Sequence, residues 1–493
     1  MVGLANILYG VQPAWSRQMP YIPPQWQELV FGETVIDSRE VEPGTLFVAL
    51  AGERTNGHTF LPDVIARGAL GALVSRTEIE ARTTILARTP RRWALVNPVT
   101  GAGLDSATPG VCLLIAVDDP LMALQRLAVY HRRQLTPTVV GITGSVGKTS
   151  TKEALAALLS QRFCTLKSKR SFNSEATVPT TLLQLAPAHE VAVLEMGMWA
   201  PGEIRFLADL ARPQIGLVTN VGPTHLERLK SQEAIWYAKA ELVEELPRDG
   251  WAVLNADDPL VWAMRDMTNA RVFSYGLAPH ATLWANQVES YGLDGIAMRV
   301  HYQDQVISMR LPLIGRHSIY LALAAMSVGL ILGMEWPAMI AGLTDPAAQA
   351  RLRVVAGQHA TTLIDDTYNA APISTLAALD LLGATPGRRV AILGDMLELG
   401  SAEEEGHRQV GQRAAQVADL LVTVGQRAIW IAEAARQAGM PSAHILVCMT
   451  NAEAIASVRP RLMPGDHILL KASRGMALEE IVVALQPQPE EEA

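Results

Sequence analysis

The stretch GITGSVGKTS, residues 141–150, restricts the fold of this chain more than any other part of its sequence. The apolar run 138–142 at its start predicts a short buried strand. Residues 152–163 after it carry leucines and a phenylalanine at helical spacing, which predicts a helix. A strand, a glycine-containing loop and a helix in this order predict an α/β fold that binds a phosphate group at the loop.

Each loop residue has an expected role in holding a nucleotide. Gly144 and Gly147 let the backbone curl, so that successive N–H groups point toward phosphate oxygens. Lys148 is expected to reach the terminal phosphates, and the Thr149 hydroxyl is expected to bind magnesium. Because the general pattern has a glycine where this chain has Ile142, a simple strand-to-helix turn is the alternative interpretation. The other residues of the predicted ATP-binding loop are Thr143, Ser145, Val146 and Ser150.

The length of the chain and its alternating elements predict three α/β domains. At 493 residues the chain is too long for one core, and a prior of roughly 150 residues per domain gives three. We expect an N-terminal α/β domain over 1–135, a central parallel sheet around the phosphate loop over 136–345, and a Rossmann-like domain over 346–493. The predicted strands of the second and third domains are Val191–Glu195, 215–220, Trp251–Asn255, 361–365, Arg389–Gly394, 420–425 and His467–Lys471.

Charge and cysteine usage limit the partners and the compartment. The net charge is −8, and no run of five basic residues occurs, which predicts that nucleic acid is not a partner. Cys112, Cys164 and Cys448 lie far apart, which fits neither a disulfide framework nor a zinc site and indicates a reducing cytoplasm. Nothing in the pattern demands an interface, so we expect a monomer.

One apolar segment requires a decision about membranes. Residues 317–334 carry no charged side chain, and eighteen such residues are at the lower limit for a membrane span. The segment contains histidine, serines, tyrosine and glycine, and no second candidate exists. We therefore expect a buried core helix and no membrane insertion. The N-terminus also lacks the features of a signal peptide.

Three polar residues of the central region are candidates for metal chemistry. Glu195 ends a predicted strand, where ligands of open α/β sheets bind, so it is a candidate magnesium ligand; a helix cap is the alternative. His225 follows another strand and could ligate a metal or be structural. Lys239 lies on a predicted helix and would ordinarily be solvated. If it were buried, its neutral amine could react with carbon dioxide to give a carbamate that binds magnesium.

Two stretches of the C-terminal region carry the remaining candidates. In LIDDTYNAAP, Asp365 could bind a ribose hydroxyl and Tyr368 could lie against a base, although an Asx turn before Pro372 is the alternative. In LLKASRG, Lys471 and Arg474 end a predicted strand, where they could meet an anionic substrate. Basic residues of this kind are also common in surface loops.

These stretches together resemble the Mur ligase family over essentially the whole chain. The motifs are DSREVEPGTLFVALAGERTNGHTF, GITGSVGKTS, LEMGMWAPGEI, NVGPTHLE, AKAEL, LNADDP, IDDTYNAAP, LGDMLELG and KASRGM. The resemblance implies an enzyme that uses ATP to convert a substrate carboxylate into an acyl phosphate, which an amine then attacks. Within the family, the chain resembles the branch that joins D-alanyl-D-alanine to UDP-N-acetylmuramoyl-tripeptide, giving the pentapeptide precursor of peptidoglycan.

The resemblance also implies roles for individual residues. Thr149 and Glu195 would hold the first of two magnesium ions, and His225 with carbamylated Lys239 would support the second. Lys148 would bind the phosphates. The other residues assigned to ATP are Arg351, Asp365 and Tyr368. The residues assigned to the substrates are Ser38 and Arg39 for the UDP group, and Asn173, Glu175, Asn369, Lys471 and Arg474.

The chain departs from the family pattern at five positions. Relatives often have asparagine at four positions where this chain has Ser174, Ser318, Leu321 and Ala371. Asparagine offers both a donor and an acceptor, so adenine and substrate contacts differ at those points. Asn56 stands where relatives usually have aspartate before Gly-His.

Three alternatives remain open from the sequence. A ligase adding the third stem residue would share the loop and the carbamate, but this chain lacks the Asp-Asn-Pro-Arg motif of such enzymes. A folate-type polyglutamate ligase would lack this N-terminal domain. A non-catalytic paralogue would bind nucleotide without releasing phosphate.

Overall fold

The computed structural model describes residues 2–52, 55–86, 92–222, 226–349 and 352–487. The chain forms two compact units. The first unit consists of 1–141, 163–198 and 203–214, and the second of 142–162, 199–202 and 215–493. Three main sheets account for the strands, together with a two-stranded antiparallel ribbon of Val2–Gly3 and Val30–Phe31.

The first sheet has five strands, and all of its pairings are parallel. From edge to edge the strands are Thr34–Val35, Leu46–Val48, Gly71–Ser75, Cys112–Val117 and Trp93–Val96. The helices of this part of the chain are Leu4–Gly10, Leu61–Ala66, Arg76–Leu86 and Pro120–Arg132. Cys112–Val117 is buried along its whole length, as expected for a strand covered on both faces.

The second sheet has nine strands and contains the predicted phosphate loop after Thr138–Thr143. In order the strands are Gln305–Leu311, Ile296–Tyr302, Leu283–Ser290, Arg271–Gly276, Trp251–Asn255, Ile215–Val218, Thr138–Thr143, Val191–Glu195 and Thr165–Lys167. The helices are Lys148–Leu159, Thr177–Leu182, Glu203–Ala211, Leu226–Leu229, Gln232–Glu244, Pro259–Ala263, Ser318–Ile331 and Trp336–Thr344. The predicted strands 191–195 and 251–255 are confirmed, and the strand predicted over 215–220 ends at Val218.

An antiparallel edge extends this sheet beyond what the sequence predicted. Leu283–Ser290, Ile296–Tyr302 and Gln305–Leu311 pair antiparallel in succession. The first of these pairs in parallel with Arg271–Gly276 through only two residues. The parallel part of the sheet therefore continues into a short antiparallel meander.

The third sheet has six strands, of which only one edge pairing is antiparallel. In order the strands are Arg353–Ala356, Thr362–Asp365, His467–Lys471, Arg389–Gly394, Leu420–Val424 and Ile445–Cys448. The helices are Pro372–Gly383, Glu403–Val417, Ile429–Gln437, Asn451–Val458 and Glu479–Leu485. Two hydrophobic clusters pack around the strands of this sheet, as in a doubly wound fold.

Of two helices packed around the second sheet, one differs from its predicted bounds and the other confirms the prediction. The helix predicted over 152–163 runs from Lys148 to Leu159, because it begins directly after Gly147. The apolar segment 317–334 forms the mainly buried helix Ser318–Ile331, as predicted. No helix within the described ranges is long and apolar enough to span a membrane.

Candidate active site

The phosphate loop has the backbone geometry that its glycines permit. Gly144 has φ +149° and Gly147 has φ +87°, values that favour glycine. A methyl group on Gly144 would lie 1.9 Å from Thr219 Oγ1. Lys148 donates from Nζ to Gly144 O at 2.7 Å, and Thr149 is buried at the start of the helix. The loop is thus a curled backbone at a helix N-terminus, which suits an anion.

Thr219 and Asn220, which sequence reasoning missed, hold the loop from the neighbouring strand end. Ser145 N donates to Asn220 O at 2.9 Å, and Val146 N donates to Asn220 Oδ1 at 2.9 Å. In return, Thr219 Oγ1 and Asn220 Nδ2 donate to Val146 O at 2.7 and 2.8 Å. The backbone amides of Ser145 and Val146 therefore hold the loop in its conformation through Asn220. The rule that polar residues beyond strand ends form sites, which selected Glu195, would also have found this pair.

Lys239 is the most unusual ionisable group in the second unit. It lies on Gln232–Glu244 with 2% of its surface exposed, and it forms no ion pair within the described ranges. Burial, and then the positive charge of Lys148, hold the pKa of Lys239 well below its ordinary value. The electrostatic effect of Lys148 indicates that the amine lies near the loop lysine. The prediction of a neutral, buried amine at this position therefore has a physical basis.

Glu195 belongs to the first unit and lies at the end of its strand. It is 1% exposed, and its Oε1 accepts a hydrogen bond from Asn173 Nδ2 at 3.0 Å. The backbone of Asn173 also binds this segment, since Gly197 N donates to Asn173 O at 2.8 Å. A methyl group on Gly197 would lie 2.8 Å from Asn173 Cγ. Asn173 is therefore bonded to this segment through its side chain and its backbone, and its side chain orients the Glu195 carboxylate.

The predicted UDP contacts lie on a well-anchored turn of the first unit. Asp37 caps this turn by accepting from Arg39 N at 2.9 Å, and it also accepts from the Arg39 guanidinium. The hydrogen bond from Arg39 lowers the pKa of Asp37. The Arg39 side chain is 85% exposed, so the pair holds a cation in solvent. Ser38 is half-buried on the same turn.

A short segment links this turn to Asn173. Arg170, which has φ +46°, donates to Glu40 Oε1 at 3.0 Å, and Lys169 forms an ion pair with Glu33. Gln184 Nε2 donates to the same Glu33 oxygen at 3.0 Å. The residue next to Arg39 is therefore joined to the segment that holds Glu195.

Lys471, which the sequence predicts to contact an anionic substrate, is shielded from solvent. It is 2% exposed, and its Nζ donates to Asp366 Oδ2 at 2.6 Å and to Asn369 O at 2.9 Å. Asp365 Oδ1 accepts from Thr367 N at 3.2 Å, which forms an Asx turn, and also from Thr367 Oγ1 at 2.7 Å. The ammonium of Lys471 thus stabilises the loop after the strand Thr362–Asp365.

Tyr368 and Arg474 come together beside this ion pair. The Arg474 guanidinium lies 5.3 Å from the centre of the Tyr368 ring, and its Nη1 donates to Tyr368 OH at 3.4 Å. His317 interacts electrostatically with Asp366 and Lys471, which brings the start of Ser318–Ile331 to the same place.

The start of helix Pro372–Gly383 also lies close to the phosphate loop. A methyl group on Gly222 would lie 3.0 Å from Ile373 Cδ1 and 3.7 Å from Ser145 Cβ. Ser145 Oγ donates to Gly222 O at 3.0 Å. In the second unit, the loop and the residues after Asp365 therefore border one region.

Some predicted site residues have little or no structural description. His225 and Arg351 lie outside the described residues. Glu175 is exposed, and its backbone oxygen accepts from Gln125 Nε2 at 3.2 Å. Thr143 is buried, and its hydroxyl has no hydrogen-bond partner among the residues that the structure describes; Ser150 is half-buried on the helix. Among the described residues, no group of three or more His, Cys, Asp or Glu side chains could hold a metal ion.

Family patterns match all three parts of the chain. Residues 33–100 match the Mur ligase family catalytic domain, 142–329 the Mur ligase middle domain, and 350–474 the Mur ligase glutamate ligase domain. Together these matches cover most of the chain and include the phosphate loop, Glu195, Lys239 and Lys471.

Full-length relatives and solved structures agree with these matches. The chain is 35% identical to the UDP-N-acetylmuramoyl-tripeptide–D-alanyl-D-alanine ligase of Synechocystis, over 91% of this chain and 90% of the relative. It is 32% identical to the Bacillus subtilis enzyme of that name, over 94% and 95%. MurF from Acinetobacter baumannii superposes with TM-score 0.75 at 28% identity, covering 93% and 94%. Thermotoga maritima MurF in complex with ADP gives 0.70 at 25%, covering 93% and 97%. The chain belongs to the Mur ligase family.

Proposed function

We infer that this chain is an ATP-dependent ligase that joins D-alanyl-D-alanine to UDP-N-acetylmuramoyl-tripeptide, releasing ADP and phosphate. Relatives that carry this activity in their names match about nine-tenths of the chain. The structural observation that carries the inference is Lys239, a buried lysine that has no ion-pair partner among the described residues and whose pKa is lowered by the nearby loop lysine. An ordinary nucleotide-binding module has no need of such a residue.

The chemistry requires activation of a carboxylate. A carboxylate is a poor acylating agent, so an oxygen of the tripeptide carboxylate attacks the γ-phosphorus of ATP, and ADP leaves. The amine of D-alanyl-D-alanine then attacks the acyl carbon of the acyl phosphate, loses a proton, and expels inorganic phosphate from the tetrahedral intermediate. Positioning and charge neutralisation account for most catalysis in such phosphoryl transfers.

The phosphate loop and Glu195 supply the binding groups for the first step. The curled loop accommodates phosphate without a side chain at Gly147, and Lys148 neutralises the terminal phosphates. Thr149 and Glu195 would hold one magnesium ion, with Asn173 fixing the direction of the carboxylate. Magnesium commonly binds one or two protein oxygens together with substrate phosphates, and here it would neutralise charge on the transferred group. His225 would contribute to a second ion.

We propose that Lys239 is carbamylated. Its depressed pKa favours the neutral amine, which adds to carbon dioxide to form an N-carboxylate with loss of one proton. The product places an anion, in place of a neutral amine, near Lys148, whose positive charge attracts it. Its oxygens would bind the second magnesium ion with His225.

The remaining residues divide between the nucleotide and the two other substrates. Ser38 and the exposed Arg39 would contact the UDP group, and Asn173, Glu175 and Asn369 would contribute to binding of the tripeptide and dipeptide. Arg351, Asp365 and Tyr368 would contact ATP. Arg474 has an exposed guanidinium that can meet a substrate anion, whereas Lys471 acts at this site through its bonds to Asp366 and Asn369. We further propose a cytoplasmic monomer without a nucleic-acid partner.

Phosphate release from ATP tests the proposed reaction. Purified protein should release phosphate only with both UDP-N-acetylmuramoyl-tripeptide and D-alanyl-D-alanine, and Lys148→Ala and Lys239→Ala should abolish release. Short carboxylic acids should partly restore the Lys239→Ala variant, because they can supply the missing carboxylate. Release without the dipeptide, or with a different amine alone, would contradict the assigned reaction.

Carbon-13 NMR with labelled bicarbonate tests the carbamate itself. One carbamate signal should appear and should be absent from Lys239→Ala. Lys152 is an internal control, because it is also buried but forms an ion pair with Glu153 Oε1 at 3.1 Å, so we expect no carbamate on it. A signal that persists in Lys239→Ala would refute the assignment.

A further inference from the structure

The helix Ser318–Ile331 begins directly beside the phosphate loop. A methyl group on Gly147 would lie 3.7 Å from Leu321 Cδ2, and within the described ranges no other atom outside the loop comes within 4 Å of that position. Leu321 is half-buried, so part of its side chain is open to solvent. An apolar side chain therefore borders the glycine at which the loop ends and the helix begins.

The polar groups on the first turn of this helix are already engaged within the protein. Ser318 Oγ donates to Ile314 O at 2.6 Å, and Tyr320 OH donates to Asp257 Oδ2 at 3.0 Å. Ile319 is fully buried. This turn consequently offers a base the apolar surface of Leu321 rather than a hydrogen-bonding side chain.

The nearby C-terminal segment offers an aromatic face. Tyr368 carries the Arg474 guanidinium at 5.3 Å from its ring centre, and Asp366, two residues earlier, interacts electrostatically with His317. Aromatic rings and guanidinium groups bind bases through stacking, and every base has a face for stacking. The region beside the loop thus combines one apolar and one stacking surface.

We propose that the nucleotide site holds the base by apolar contact and stacking, so that GTP and ITP are accepted nearly as well as ATP, and that Leu321 determines this tolerance. The inference rests on the proposed function, because it concerns the nucleotide of that reaction. A site that hydrogen-bonds its ligand rejects analogues by about 10⁴-fold or more, whereas an apolar pocket discriminates by only about 10–200-fold. ATP and GTP differ only in the groups on the base edge, which stacking does not read.

Direct binding measurements separate this inference from the proposed reaction. Isothermal titration with the magnesium complexes of ATP, GTP and ITP should give dissociation constants that differ by at most about 200-fold, well below the factor of about 10⁴ expected of a hydrogen-bonding site. Ligation with each nucleotide and both other substrates should show a similar spread in kcat/KM. ATP binding with exclusion of GTP would overturn the base tolerance and leave the ligase intact. Absence of ligation with any nucleotide, despite binding of all three, would instead contradict the proposed function.

Substitution of Leu321 tests which residue is responsible. Leu321→Asn adds a donor and an acceptor beside the loop, and should raise the preference for one purine by about 10- to 100-fold, the discrimination typical of a good amide contact to a base. Leu330→Asn is the matched control: it is half-buried on the same helix, about 13 Å further along at 1.5 Å per residue. Equal selectivity in the two variants would overturn the role of Leu321.

Discussion

Replacement of Gly144 by alanine should weaken ATP binding strongly, because two separate costs arise at this position. Gly144 has φ +149°, a conformation that costs a residue with a side chain about 1–3 kcal/mol. The added methyl group would also lie 1.9 Å from Thr219 Oγ1, and overpacking of this kind costs about 1–3 kcal/mol. Relief of the contact would move Thr219, whose hydroxyl donates to Val146 O in the same loop at 2.7 Å.

These costs translate into a measurable loss of affinity. The loop must adopt the observed conformation to bind phosphate, so its destabilisation appears directly in the dissociation constant. The sum is at least about 2 kcal/mol, which corresponds to an affinity about 30-fold lower. Isothermal titration with ATP and magnesium gives the dissociation constant, and circular dichroism establishes that the variant is folded.

Two companion variants separate strain from collision. Gly439→Ala is the control for strain alone, since Gly439 has φ +98° but no described atom lies within 4 Å of the added methyl group. It should lower stability slightly and leave ATP affinity unchanged. Thr219→Ala in the Gly144→Ala background removes the closest atom and leaves Thr219 Cβ at 3.1 Å, so it should recover part of the affinity. An unchanged affinity in Gly144→Ala would refute the reasoning.

Four further substitutions test the ionisable groups. Lys239→Met should abolish ligation but raise the melting temperature at pH 8 in carbonate-free buffer. Burial lowers the pKa of Lys239 in the folded protein below its ordinary value of 10.5, so below pH 10.5 the unfolded wild-type chain binds more protons than the folded one and is favoured. This gain should shrink as the pH approaches 10.5, and a constant gain would contradict it. Asp366→Asn should lower the free energy of unfolding, measured with urea, by about 3 kcal/mol, because it leaves the buried ammonium of Lys471 without its carboxylate. Lys471→Met should lower it by less, and a larger loss in Lys471→Met than in Asp366→Asn would refute this. Burial lowers the pKa of His407, so wild type should lose more stability than His407→Asn between pH 7 and pH 5, and parallel melting profiles would exclude the effect.

The sequence predicted strands and strand ends well, because each buried strand is a local apolar run. The start of the helix after the loop was placed four residues too late, since its first turn is polar and shows no apolar spacing. The marker that fixes the start is Gly147, whose left-handed backbone ends the loop. The antiparallel meander that begins at Leu283 was missed because its strands contain many exposed or half-buried residues and therefore form no continuous apolar run.

Contacts between residues that are far apart in the sequence could not be predicted from local sequence patterns. Tyr320 and Asp257 are hydrogen-bonded across a separation of 63 residues, and no periodicity signals such a pair. The burial of Lys471 likewise depends on Asp366, which is 105 residues away in the chain. Sequence position alone indicated a basic residue at a strand end, and only the folded chain shows which basic residue is already paired.

The departures from the family pattern differ in their consequences, because the structure compensates some of them locally. Asn56 Oδ1 accepts from His58 N at 3.0 Å and lies 2.8 Å from His58 Nδ1, so the amide oxygen occupies the role of a capping carboxylate. Ser174 Oγ is 3.0 Å from Thr177 Oγ1, and Ala371 N donates to Ser374 Oγ at 3.1 Å at the start of its helix.

Leu321 has no comparable compensation. A leucine side chain cannot donate or accept, and Leu321 lies against the one glycine that begins the phosphate-binding helix. Ser318 also cannot substitute for it, since its hydroxyl is bonded to Ile314 O. At Asn56, Ser174 and Ala371, nearby hydrogen bonds therefore compensate for the departure from the family pattern. At Leu321 the departure changes the chemistry of the side chain. We expect selection of the nucleotide base to depend on that position, whereas phosphate binding and acyl transfer are proposed to depend on the loop, Glu195 and Lys239.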